Sequence, residues 1–427
     1  MKKVISLLCM VGIAGLLCAQ GQTEKKVTLT FWDENAGENR TPYYEELINR
    51  FNSSQSNIEV LYEGIPAKSA KEKYDVAIAT KTTPDIGHCN AAWGSSWVAQ
   101  NCLVDLDPYF VKWDGKDDIN QNYLALNRAL DPQGRLFMIT DTVSSPLMWV
   151  RTDLLKAKGL PIPSSWDEFF DDVAKVTDKE KGIYGFAMRG DKSCAVELQH
   201  ALYAYSGIPA YFDELGKCTI NAPEHVEFLK KYVAMYNNQT AESDITNGYK
   251  EMVAAFDGGS AAIIFHNTGS KSEHSKALKP DQYKAVSFPI SLRGTKSYTA
   301  GSQGGYCIFN TCEHPEEAWT FIKFMLSEES NSYFNEKIGQ IPMNNKVLKE
   351  VWVAESQCTS EALSNLADPA CHLVSQPKYL PDYSKIMNSI LPPVFQSMLA
   401  GQTSVEAFLN QWADLMTEAE KAYRTVK

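Results

Sequence analysis

The chain has 427 residues and a net charge of −11, with 52 acidic against 41 basic side chains and no clustered run of Lys or Arg. That balance excludes a nucleic-acid surface built on a basic patch, and 44% hydrophobic with 22% charged residues is ordinary for a globular protein. The length exceeds what one hydrophobic core usually organises, so two domains are expected.

At the start, Lys2 and Lys3 precede Val4 to Leu17, which carry no charge. That run is shorter than the ~20 residues of a spanning helix and suits the apolar part of an export signal, residues 1–17. Two processing sites compete. Ala19-Gln20-Gly21 offers small residues for cleavage after Gly21. Gly15-Leu16-Leu17-Cys18 resembles a bacterial lipobox with Cys18 as the lipidated first residue, although Leu17 stands where a small residue is usual. With 18–25 as a polar linker, the lipid anchor is the favoured reading: an extracytoplasmic, periplasmic protein tethered to the membrane.

Val27, Leu29 and Phe31 alternate with Thr28, Thr30 and Trp32, the period of a strand. A polar loop follows, then Thr41-Pro42 as a helix start and Leu47, Ile48 and Phe51 on one helical face. Residues 58–64 alternate again, and a third strand begins at Pro84. Strand–helix–strand–helix–strand predicts a mostly parallel sheet covered by helices. In such α/β sheets ligands bind beyond the carboxyl ends of the strands. Those ends are Asp33 to Arg40 and His88 to Trp97.

Further along, Ser165 to Glu168 is a capping box opening a helix with Phe169, Phe170, Val173 and Val176 on its buried side. Strands are expected over 182–190, 256–266, 283–290 and 304–310, and helices over 224–238, 314–327 and 404–425. Eight cysteines lie beyond Cys18, and Cys89/Cys102, Cys194/Cys218 and Cys358/Cys371 are plausible local pairs in an exported chain. Cys307 and Cys312 share a strand, whose ~16 Å separation over five residues is too long for a bond that needs Cα atoms within ~7 Å. There is no CxxC and no pair of His at i, i+4, so no metal site and no cofactor are expected.

The order of several segments is informative: "FW" in the first strand, "TPDIGHCNAAWGSSWVAQNCLVDLDPY", "PLMWVRTDLLKAKGLPIPSSWDEF", "YGFAMR", "FDGGSAAIIF", "GGYCIF" before "EEAWTFIKFMLSEE", and "IGQIPMN". Together they resemble the extracellular solute-binding proteins of ABC importers, the family that includes maltose-binding proteins and other sugar binders. The resemblance covers nearly the whole mature chain. It implies an α/β fold of two lobes, periplasmic-binding-protein-like of the maltose-binding (type II) kind, joined by a hinge that the chain crosses three times. Crossings are placed near Ile139–Thr142, Phe288-Pro289 and Ser327. Lobe one would be 26–140 plus 289–326, and lobe two 141–288 plus 327–427. The resemblance further implies a small-molecule ligand, most simply a mono- or oligosaccharide, held between closing lobes and delivered to a membrane permease by a monomer that does no covalent chemistry.

Candidate contacts follow from both readings. Asp33, Glu34 and Asn35 end the first strand, where a sugar needs carboxylates and amides to replace its water hydrogen bonds. His88, Asn90, Trp93 and Trp97 follow the third, with aromatic faces suited to sugar rings; the i, i+4 spacing of the tryptophans also suits core packing. The resemblance adds Asp141 and Ser144 beside the first crossing, and it brings Arg189, His266 and Asn267 to the cleft. Gln303, Gly304 and Gly305 precede a strand where glycine permits close approach, and Trp352 would stack from lobe two. A glycerophosphodiester or another polar solute is the alternative ligand. An exported glycosidase using Asp33, Glu34 and Asp141 is the rival activity, without a nucleophile elbow, zinc motif or phosphate loop to support it.

Overall fold

The computed structural model describes residues 26–427 apart from Ala300, Ser302, Pro369 and Lys427; Cys18 and the proposed leader lie outside the described residues. Strand β1 (Val27–Asp33) buries Leu29 and Phe31 and pairs in parallel with β2 (Ile58–Gly64) and β3 (Ile86–Asn90). The helix Thr41–Ser54 crosses between β1 and β2 and buries Tyr44, Leu47, Ile48 and Phe51. Its first residue is Thr41 itself, after Arg40, and the threonine hydroxyl accepts from the Gly37 amide at 3.1 Å.

Strand β4 (Ile139–Val143) ends this part of the chain, and after Ser144-Ser145 β5 (Pro146–Arg151) opens a second sheet. That sheet takes β6 (Tyr184–Phe186), β7 (Ala261–Asn267) and β8 (Tyr283–Val286), in the order β6-β7-β5-β8. Helices Trp166–Val176, Cys194–Ser206 and Val405–Val426 send Phe169, Leu202 and Trp412 into its core. The capping box forms as expected: Ser165 accepts from the Glu168 amide, and the Glu168 carboxylate accepts from Ser165.

Strand β9 (Ser297–Thr299) still belongs with the second lobe, because it pairs with a late strand and Thr299 bonds His200 of that lobe's helix. Only β10 (Gln303–Ile308) returns to the first sheet, between β3 and β4. The second crossing therefore falls after Thr299, beyond the expected Phe288-Pro289. The cause is local: the Leu292 amide donates to Tyr205 O at 2.8 Å and Arg293 Nη1 to Ser206 O at 2.7 Å, which holds the segment against lobe two.

The third crossing also comes later than Ser327. Helix Glu328–Ile338 packs Phe334 and Ile338 into the core of Phe31 and Tyr44, and β11 (Ile341–Pro342) pairs with β4. The chain rejoins lobe two through the Gln357 side chain, which bonds both backbone groups of Ala285, and through β12 (His372–Val374), the partner of β9. The first sheet has the order β11-β4-β10-β3-β1-β2. The eight described cysteines are free thiols, so none of the expected local pairs is bonded; the sulfur nearest Cys89 is that of Cys307, 3.8 Å away across β3 and β10.

Candidate functional site

The carboxyl ends of β1, β3 and β4 bring four ionisable side chains together. Asp33 lies beside His88 in the parallel register of β1 and β3, and both are fully buried. Tyr62 Oη donates to Asp33 Oδ2 at 3.3 Å, the Asn35 amide donates to Oδ1 at 3.2 Å, and Arg40 Nη2 stands 3.9 Å away. Arg40 is itself buried, donates to Tyr44 Oη at 3.2 Å, and lies over the Tyr44 and Phe334 rings.

His88 reaches across β10 to Asp141 on β4, its Nε2 standing 2.9 Å from Oδ1. Gly304 makes this possible: a Cβ there would stand 2.6 Å from His88 Cε1 and 2.9 Å from Nε2. The glycine expected to admit a ligand instead admits the imidazole. The Asp141 carbonyl is fixed in turn by Asn331 Nδ2 at 2.8 Å and Asn335 Nδ2 at 3.3 Å. Burial opposes a charge on His88, but the Asp141 carboxylate outweighs it and its pKa is raised. The other ring nitrogen, Nδ1, is 3.7 Å from Glu34 Oε1 and 3.9 Å from Asp33 Oδ1 and bonds neither. Burial pushes the Glu34 carboxyl up to about 7, against the pull of His88 and Arg40.

Beyond β3, Asn90 caps the helix Ala91–Ala99, its Oδ1 accepting from the Ala92 amide at 3.0 Å. Trp93 is half-buried and packs against core side chains of both lobes. Trp97 is not a candidate contact: it is fully buried among Tyr74, Phe309 and Cys307. Trp352 is likewise removed, its Nε1 bonded to Glu350 at 2.9 Å and Ser332 at 3.1 Å. Gln303 is buried in β10 opposite Val143. At the hinge, a Cβ on Gly301 would lie 1.4 Å from the Ser144 carbonyl oxygen, so two crossing segments pass in contact there.

Lobe two supplies the facing wall. Arg189 Nη1 bonds Glu197 at 3.0 Å, Nη2 bonds Ser193, and the guanidinium lies 5.9 Å from the Tyr249 ring centroid. The Tyr249 ring also meets His266 at 4.8 Å. Burial, reinforced by Arg189, holds the His266 pKa well below its usual range, so this ring is neutral; its Nδ1 contacts Ser270 Oγ at 3.1 Å. Asn267 Oδ1 accepts from the Gly269 amide at 2.8 Å.

Three contacts join the walls. Asn39 Nδ2 donates to Glu273 Oε1 at 2.7 Å, the same oxygen that accepts from Tyr249 Oη; Lys276 Nζ donates to Asn39 Oδ1 at 2.5 Å; Lys192 Nζ donates to the Lys68 carbonyl at 2.7 Å. Deeper in, Ser95 Oγ donates to Lys378 O at 2.9 Å, and Lys378 Nζ to Gly301 O at 2.8 Å. Burial pushes the Lys378 amine down to about 7. Tyr249, Glu273 and Lys378 carry no strand-end or motif signature in the sequence, and Asn39, in the loop after β1, meets Glu273 only because the lobes do. Arg40 was legible as the last residue of the loop after β1.

A second gap between the lobes, of about 520 Å³, is lined by Arg128, Asp131, Tyr379, Glu420, Tyr423 and Arg424 among others. Its polar groups are already matched, Arg128 with Asp107, Tyr379 and Arg424 with Glu420. Buried atoms without a partner instead include His88 Nδ1, Arg40 Nε and Arg189 Nε, in the two facing walls. A buried polar atom without a partner costs free energy unless something fills its place.

Comparisons with known proteins place the fold and the family. A protein of Brucella abortus described as a binding protein is 22% identical over 349 residues, 80% of this chain and 82% of its own length. Among solved structures, the GacH receptor of Streptomyces glaucescens, determined unliganded and with acarbose, superposes with a TM-score of 0.80 at 20% identity, covering 94% of this chain and all of its own. An ABC-transporter solute-binding protein of Thermotoga lettingae bound with α-D-tagatose also gives 0.80, at 18% identity over 92% of this chain and all of its own. The fold is therefore the two-lobe, maltose-binding-protein-like one. The model of one family, bacterial extracellular solute-binding protein, matches residues 37–332, and the chain belongs to that family.

Proposed function

We propose that this protein is the extracytoplasmic binding component of an ABC importer, capturing a carbohydrate between its lobes and delivering it to a membrane permease. The observation that carries this reading is the set of buried, unpartnered groups on facing walls, His88 Nδ1 and Arg40 Nε on one side and Arg189 Nε on the other. Tyr249 lies by Arg189, and Trp93, half-buried on the helix after β3, packs against Tyr74 and Trp97; aromatic rings of that kind suit the apolar faces of sugars. The structural relatives named above hold acarbose or tagatose, and another, MalE3 of T. maritima, is maltose-bound.

Ligand that touches both walls stabilises the closed arrangement by its differential affinity for it. Binding needs no bond making, and Asp141 is engaged by His88 rather than poised opposite Glu34 for glycoside chemistry. A phosphodiester ligand would call for cations at the floor of the cleft, where Asp33, Glu34 and Asp141 outnumber Arg40. Thermal-shift screening over mono- and oligosaccharides tests the reading: a ligand at ~100 times its Kd stabilises by ~2.7 kcal/mol and is recovered intact. A shift with a phosphodiester and with no sugar overturns it. Lipidation at Cys18 completes the proposal, and the intact mass of the mature N-terminus tests it.

A further inference from the structure

Arg189 stands on the lobe-two wall, yet no strand holds it there. The sheet secures this stretch of backbone only as far as Ala187, whose amide donates to Ile263 O on β7 at 3.2 Å. Past that point the amides around Arg189 all end on one short turn, 244–247. The Met188 amide donates to Asp244 Oδ2 at 2.8 Å, and the Gly190 and Asp191 amides donate to the Asn247 carbonyl at 3.0 and 3.2 Å. The approach is close: a Cβ on Gly190 would stand 2.2 Å from the Ile245 carbonyl oxygen. The turn is itself anchored, because the helix Tyr249–Asp257 follows at once and the Gly248 amide donates to Glu251 Oε2 at 3.0 Å.

Asp244 ties the two sides of Arg189 together. It is only 3% exposed. While Oδ2 takes the Met188 amide, Oδ1 accepts from Asn247 Nδ2 at 3.0 Å. One carboxylate therefore links residue 188 to the residue whose carbonyl holds 190 and 191. Burial raises this carboxyl to about 6, so it is ionised at neutral pH. Among the described residues no cation pairs with it, and Arg189 pairs with Glu197 and Asp191 instead. A buried carboxylate matched only by N–H donors is costly. What it secures is the backbone from which Arg189 reaches the cleft.

We propose that Asp244 is a positioning residue of the binding site: it touches no ligand and acts through Arg189, holding the unpartnered Nε–H where a sugar oxygen meets it. This rests on the carbohydrate reading above. A binding group keeps its worth only while the residues behind it fix it to within about 0.5 Å.

Titration of the mature full chain with maltose, cellobiose, tagatose and glucose tests this, each variant first checked for a native melt. The variants are Asp244→Ala, Asp244→Asn, Arg189→Met and the double variant Asp244→Ala with Arg189→Met. For a sugar that binds the wild type, Asp244→Ala should weaken affinity at least about tenfold, the loss expected for one hydrogen bond to a charged group. Asn keeps an oxygen for the Met188 amide, and its NH2 bonds Asn247 once that amide turns over, so Asp244→Asn should restore most of the loss. In the Arg189→Met background Asp244→Ala should cost nothing further. Unchanged affinity in Asp244→Ala, an equal loss in both backgrounds, or a loss in Asp244→Asn as large as in Asp244→Ala overturns the inference and leaves the carbohydrate reading standing. Where Arg189→Met binds too weakly to read, the comparison of Ala with Asn decides alone. If Asp244→Ala does not fold, Gln396→Ala takes its place: Gln396 Nε2, from the helix Leu391–Leu399, donates to Gly190 O at 2.8 Å, and its loss should weaken binding several-fold with Arg189 present and not without it. If no sugar in the series binds, both the inference and the carbohydrate reading fall.

Discussion

Glu34 is the residue at which position and chemistry are most tightly linked. Its place at the end of an alternating strand was readable from the sequence; the burial that pushes its carboxyl up to about 7 from an ordinary 4.5 was not. Between those values the folded chain binds a proton that the unfolded chain releases, so this residue makes stability fall as pH rises through the window. The expected size is roughly 3 kcal/mol, at about 1.4 kcal/mol per unit. Urea denaturation of the wild type and Glu34→Gln at pH 5 and pH 8 measures it, the histidines other than His88, which Glu34 itself acts on, cancelling in the difference. The wild type should lose ground to the variant as pH rises, and an unchanged difference would remove the buried-carboxyl account. His88 shows the other limit of sequence reading. It was placed in the cleft by strand position alone, and its partnership with Asp141, 53 residues away, depends on a glycine in a third strand.

At the scale of elements, local signals were reliable where the chain decides its own structure. The capping box at Ser165 is one case: Ser165→Ala should cost about 1 kcal/mol, read as a lower melting temperature with ligand affinity unchanged. Strands with a clear period of two were also legible, since alternation along β1 places Leu29 and Phe31 in the core. Boundaries that depend on which lobe a segment packs against were not legible. Helix Glu328–Ile338 lies beyond the helix expected over 314–327, and its packing against Tyr44 and its grip on the Asp141 carbonyl assign it to lobe one. The same logic makes Gly304 a test of how β10 supports the site. Gly304→Ala forces the buried His88 ring aside, at an expected cost of about 1–3 kcal/mol, and should weaken ligand binding more than tenfold in a titration. Unchanged affinity in a folded variant would mean that the His88–Asp141 contact does not organise the site.

At the scale of the molecule, two sheets with separate cores meet along a hinge, and few direct contacts join the lips of the cleft. Asn39 with Glu273 and Lys276 is the principal one, and it is partly exposed, so it adds little to fold stability. Its effect should fall on the closed state: Asn39→Ala should speed ligand dissociation several-fold in stopped-flow fluorescence while leaving the melting temperature of the ligand-free protein within about 1 °C. None of these pairings could be read from sequence, because Asn39 and Glu273 lie 234 residues apart and carry no motif.

The central claim is that a sugar is held by both walls at once. Its most direct test is the ligand-induced thermal shift of the wild type beside Trp93→Ala from one wall and Arg189→Ala from the other. With the sugar selected by screening, each folded variant should lose most of the shift at the same ligand concentration. A shift that survives either substitution intact would contradict capture between the lobes.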